Sequence, residues 1–233
     1  MINQIKVETF KFARSVFFWL AILFNIGVGI YSGVRLNIDR HVTDTMMPFN
    51  EYLPDLSFVF MFALFTSWFI GSAFSNRTIQ HEISSGHSRF SIIMSRFLPV
   101  IISGVLFQTA FVASSVISLG IGVGFDSFAL TADHFLWIGT ILLQLIALEC
   151  MFIFISFLSC NLYVGLIAST ISAFSLINIF RNIFKDARWY QVSFLHFAET
   201  TNHAELMKCS IVAVISIIVL TAFTYIVFRK REI

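Results

Sequence analysis

Six long apolar runs dominate the chain and leave few folds open to it. They cover Ser15–Val34, Leu56–Phe74, Phe97–Val123, Phe135–Leu158, Leu162–Phe180 and Ser210–Phe228. A helix needs about 20 mostly apolar residues to cross the hydrocarbon of a bilayer, and each run reaches that length or comes close. The runs are apolar on every face, so they lack the alternation of a barrel strand. Over the whole chain 58% of residues are hydrophobic and only 12% charged, whereas a soluble domain carries about 25% charged residues. A soluble globular domain, a disordered tail and a disulfide scaffold are excluded. The sequence predicts an all-α polytopic membrane protein with six transmembrane helices, in a single transmembrane domain over residues 1–233.

Lysine and arginine near the span ends predict the orientation. One side holds Lys6, Lys11, Arg14, Arg77, Arg89, Arg96, Arg229, Lys230 and Arg231 against three acids, Glu8, Glu82 and Glu232. The other has Arg35, Arg40, Arg181, Lys185, Arg188 and Lys208 against nine acids. The more basic side is expected to be cytoplasmic, and it carries both termini. The formal net charge of +2 gives no reason to expect a nucleic-acid partner. The first run shows no A-x-A-like cleavage site and reads as a retained span.

The connecting segments are unequal. Residues 1–13 are predicted to form an amphipathic interfacial helix, with Ile5, Phe10 and Phe12 among Lys6, Glu8 and Lys11. The outer stretch Arg35 to Asp55 holds Pro48 and Pro54 and reads as irregular. Ser159 to Asn161 is a tight hairpin. The outer loop over residues 181–208 carries Arg188-Trp-Tyr190, read as an interfacial anchor. It also carries His196, Glu199 and His203, which on one helix would share a face; surface chance is preferred to a metal site there.

Residues 75–96 form the densest polar stretch on the basic side. Thr78 to Ser85 fits two helical turns, with Ile79 and Ile83 on one face. Gly86 is a helix stop. Ser88 then opens a lead-in to the third span, where Arg89 and Arg96 are expected to snorkel. The segment reads either as a charged connector or as a rigid projection that docks on a soluble partner.

The whole chain resembles a small permease subunit of an ABC transporter of the ABC-2 type, the group of bacterial bacitracin-resistance, lantibiotic-immunity and peptide-toxin exporters. Three stretches carry the resemblance. The opening Ile5 to Trp19 is similar to the family's elbow helix, and the chain ends in a short basic tail, Phe228 to Ile233. Within Phe74 to Arg96 and just beyond, Gly86, Ser88, Arg89, Ser95, Arg96 and Leu98 follow the family's loop pattern, which often has lysine where Arg96 stands. The resemblance implies a coupling helix over Asn76 to Ser85 that seats in a cleft of a cytoplasmic ATPase. Arg77, Thr78, Gln80, His81, Glu82, Ser85, Gly86, His87 and Arg89 would form that contact. It further implies a bacterial cell membrane, an ATPase dimer that holds the ATP and magnesium, and a second permease subunit, identical or paralogous. The cargo would be an amphipathic peptide or hydrophobic toxin, moved outward. No cofactor is expected on this chain.

The letters themselves exclude several chemistries. No G-x-x-x-x-G-K-[ST] is present, so the chain has no P-loop of its own. A zinc H-E-x-x-H beginning at His81-Glu82 fails because Ser85 occupies its closing position. No G-x-S-x-G elbow is present. The chain is therefore read as a non-catalytic subunit. An ion- or proton-coupled secondary transporter would show broken spans and several intramembrane charges. A membrane scaffold would tolerate changes to the polar loop.

Glu149 is the one acid near the middle of a run and is expected to face protein or water. It is read either as a substrate contact or gating hydrogen bond, with Gln144 and Asn25 along the same path, or as a structural group, in a buried interhelix hydrogen bond or hidden at a subunit interface. Asn25, Gln108, Gln144 and Asn178 are read first as polar glue between helices. Gly165, Ser169 and Ala173 are four apart and predict a close helix contact, as do Gly120 and Gly124.

Overall fold

The computed structural model describes residues 2–43, 56–124, 132–175, 179, 181–184, 187–197 and 202–231. These residues form helices α1 (Ile2–Ala13), α2 (Val16–Thr43), α3 (Leu56–Ser75), α4 (Thr78–Ser84) and α5 (Arg89–Val123). They continue with α6 (Ala132–Ser159), α7 (Leu162–Phe174), α8 (Arg181–Phe184), α9 (Arg188–Val192) and α10 (His203–Lys230). The all-α expectation holds over the described residues.

Among the described residues four stretches are long and apolar enough to cross a membrane: Val16–Arg35, Arg89–Gly122, Phe135–Ser159 and His203–Lys230. Counting Val59–Ser75 with Thr78–Ser84, bent by 56° at their junction, as one broken span makes five. The predicted fifth span is seen as α7, whose 13 residues reach about 20 Å at 1.5 Å per residue. Bilayer hydrocarbon is about 30 Å thick. Residues 176–178 and 180, which the prediction included, lie outside the described residues.

Two boundaries differ from expectation. α2 runs on helically to Thr43, so residues 36–43 are helical and not irregular, and residues 44–55 of the expected outer stretch lie outside the described residues. α10 starts at His203, well before Ser210, because the Asn202 side chain accepts from the Ala204 N–H and caps the helix in its polar first turn. α5 carries Pro99, which removes the donor that would bond the Ser95 carbonyl.

α2 packs along α5, α10 along α6, and α3 against both α6 and α7. Aromatic rings fill the first junction. Phe12 of α1 meets Phe18 of α2 and Phe65 and Phe69 of α3, and Phe107 of α5 closes on Phe18 and Phe65. Phe74, Phe157 and Phe228 pack edge to face and join α3, α6 and α10. Such pairs are worth about 0.5–1.5 kcal/mol beyond their buried area, which accounts for part of the phenylalanine content.

Small residues set the helix spacing. Ser67 on α3 bonds Ser156 of α6 at 3.1 Å and donates to Ser169 of α7 at 2.6 Å. Gly165, Ser169 and Ala173 are the buried residues of α7. Gly29 and Gly33 of α2 touch α5 so closely that a Cβ on Gly33 would lie 2.6 Å from the Ser115 carbonyl oxygen. Gly124 instead ends α5 in open space with φ 93°, a left-handed terminus rather than a helix contact.

α1 packs against α5 with a hydrogen bond from Ser91 to Gln4, buries Phe12 and Glu8, and leaves Val7 and Phe10 outward. α1, the 76–88 loop, the α6–α7 hairpin and the carboxyl end of α10 thus share one end of the bundle. Gln144 marks the other end, donating to the Ser193 and His196 carbonyls.

Candidate functional site

The polar loop between α3 and α5 folds into a short rigid arm. α3 stops at Ser75, and Arg77 takes a left-handed conformation with φ 55° that turns the chain. Seven residues of α4 follow, closed by backbone bonds from Gly86 to Ile83 and from His87 to Glu82. Gly86 has φ 83°, where a side chain would be strained. Ser88 then caps α5, its Oγ accepting from the Ser91 N–H.

The arm has an inner and an outer face. Ile79 is fully buried and Ile83 packs partly on the core. Arg77, Gln80, His81, Ser84, Ser85, Gly86 and His87 are exposed, and Thr78 is half-buried. Two residues expected to join the outer contact are engaged within the chain instead. Glu82 accepts from both terminal nitrogens of Arg96, at 2.8 and 2.9 Å. Arg89 donates through Nη1 to the carbonyls of Phe228, Arg229 and Arg231 at 2.6, 2.8 and 2.6 Å.

Neither arginine snorkels. The Arg96 side chain is 0% exposed and its partner Glu82 only 19%. Nη1 of Arg96 also reaches the Ile92 carbonyl at 3.2 Å. The two terminal nitrogens meet the two carboxylate oxygens, a bidentate pairing that compensates a buried guanidinium, while Nε is buried with no hydrogen-bond partner among the described residues. Arg89 caps the carbonyl end of α10, where the helix dipole favours a cation, and its guanidinium lies 5.6 Å from the Phe228 ring centroid. The sequence placed Arg96 in a matching pattern but gave no partner for it. Glu82 lies 14 residues earlier, across a glycine break, so no helical periodicity links the two.

The predicted substrate-path residues do not line one path through their shown contacts. Asn25 donates to the Ala21 carbonyl within α2. Gln144 reaches the 193–196 turn. Glu149 is buried, and its carboxylate fills the space left by Gly104, where a Cβ would lie 2.1 Å from Oε1. Neither carboxylate oxygen has a hydrogen-bond partner among the described residues, so the interhelix hydrogen bond expected of Glu149 is not formed. Gln108 is buried with Oε1 equally unpartnered. Asn178 lies outside the described residues.

The outer histidines do not share a helix face. His196 lies in the turn after α9 while His203 opens α10, and Glu199 is outside the described residues. Among the described residues no group of three His, Cys, Asp or Glu is placed to hold a metal. In the expected interfacial anchor Arg188 and Trp189 are exposed, whereas Tyr190 is buried against His196.

Comparison with protein-family models, with curated proteins and with solved structures gave no match to this chain.

Proposed function

We propose that the chain is the membrane permease subunit of an ATP-driven exporter of the ABC-2 type. One observation carries the reading: α4 is a short helix at the basic end of the bundle, fixed from inside by Ile79 and Arg96 and polar on its outer side. A connector needs no such anchoring. A helix that must receive force from a soluble partner does, because a loose one would absorb the displacement. In this reading the basic end is cytoplasmic, and an ATPase dimer docks on Gln80, His81, Ser84, Ser85 and His87 of two permease subunits. ATP-driven closure of the dimer moves α4 and switches the membrane cavity. The cargo class that fits the resemblance is an amphipathic peptide or hydrophobic toxin, exported outward.

The test is co-purification of the chain with a candidate ATPase of the ABC class. The pair is expected to co-elute, and glutamate in place of Gln80, His81 and His87 together is expected to separate them. A complex that keeps its affinity and its ATPase activity after those changes defeats the coupling reading.

A further inference from the structure

α4 is joined to the rest of the chain by two left-handed joints, Arg77 with φ 55° and Gly86 with φ 83°. Between Gly86 and the cap Ser88 the chain is not helical. A short helix on such a hinge swings unless something crosses the break. Ile79 seats α4 on the core, and the Glu82–Arg96 fork is the polar tie across the break, joining the middle of α4 to the second turn of α5. About two turns closer to the start of the same helix, Arg89 grips the carbonyls of Phe228, Arg229 and the cap residue Arg231 at the end of α10.

We propose that Glu82, Arg96 and Arg89 are positioning residues that make α4, the basic end of α5 and the carboxyl end of α10 a single rigid unit. Displacement of α4 is then delivered to two spans at once and not lost at Gly86. A buried ion pair is weak evidence for stability alone, since an apolar pair of similar volume often does as well or better. A pair kept at that cost, placed across a hinge, serves geometry. The use of the unit as a transmission element rests on α4 being the docking helix, but the unit itself does not.

Spin labels at Gln80 on α4 and Lys230 on α10, in the full chain with its three cysteines replaced and held in nanodiscs, read the unit directly. Both sites are exposed. The wild-type pair is expected to give one narrow distance distribution. Glu82→Gln, which keeps volume and an acceptor oxygen, is expected to lose it, and so is Arg96→Lys, which keeps charge and loses the fork. The double variant is expected to be no broader than either single one, because both remove the same contact. A merely structural role would lower the melting temperature and leave the distribution of the folded fraction narrow. Two single variants as narrow as wild type, or broadening that adds in the double, overturns the proposal. No ATPase is present in this measurement, so its failure and a failure of co-purification are separate results.

Discussion

Alanine at Gly33 and alanine at Gly27 should have opposite effects on stability, although both residues lie on α2. At Gly33 an added Cβ would sit 2.6 Å from the Ser115 carbonyl oxygen, 2.8 Å from Ser118 Cβ and 3.1 Å from the Leu119 nitrogen. Two of these three are backbone atoms of α5, so no rotamer change relieves them. Carbon contacts are comfortable at about 3.5–4.0 Å, so α2 and α5 must separate locally by roughly 1 Å. Overpacking of this kind costs about 1–3 kcal/mol. Alanine regains about 0.8–1.0 kcal/mol of helix propensity over glycine, leaving a net loss of up to about 2 kcal/mol. The hydrogen bond from Ser115 to the Gly29 carbonyl, 2.9 Å long, lengthens with the same movement. At Gly27 no atom lies within 4 Å of the added Cβ, so only the propensity gain remains and the variant should be neutral or slightly stabilised. Equilibrium unfolding in mixed micelles, or steric trapping in bicelles, measures both. Equal shifts for the two variants would refute the assignment of Gly33 to a close helix contact.

Three further outcomes are expected. Ser67→Ala removes the hydroxyl that links α3 to both α6 and α7 and should cost about 0.6–1.7 kcal/mol in the same unfolding assay; no loss would show that the serine cluster is incidental. Gly104→Ala pushes a methyl into the Glu149 carboxylate and should destabilise by about 1–3 kcal/mol, with most of the loss recovered in Gly104→Ala/Glu149→Ala. A double variant as unstable as the single one would show that Glu149 is not what Gly104 accommodates. Burial raises the Cys160 thiol above its usual range, and the nearby Arg231 guanidinium acts against that rise by favouring the thiolate. Arg231→Ala should therefore raise the thiol pKa further, moving the maleimide-labelling curve of a chain keeping Cys160 alone to higher pH, with slower labelling at every pH below it. Faster labelling would contradict the pairing.

Hydropathy is a sum over neighbouring residues, so the sequence by itself determined the membrane class, the helical class and most helix positions. Lone side chains with local jobs were also legible: Gly86 as a stop, Ser88 as the opening of α5, and Ile79 as the inner face of α4. The Gly165, Ser169 and Ala173 stripe was visible for the same reason, since small residues four apart need only the helical period to be seen. Gly29 and Gly33 have that spacing too and passed unnoticed inside a run apolar throughout.

What only the tertiary structure decided is where each polar group found its partner. Glu82 and Arg89 were expected at the outer contact, yet both are bound within the chain. Arg96 was expected to reach for water and is buried against Glu82. Glu149 was expected at a hydrogen bond, a path or a subunit interface, and lies against Gly104 with its oxygens unpartnered among the described residues. In a chain with so little charge, the position of each charged group depends on which distant helix happens to lie across from it. That pairing is set by packing over the whole bundle, and no local pattern of residues encodes it.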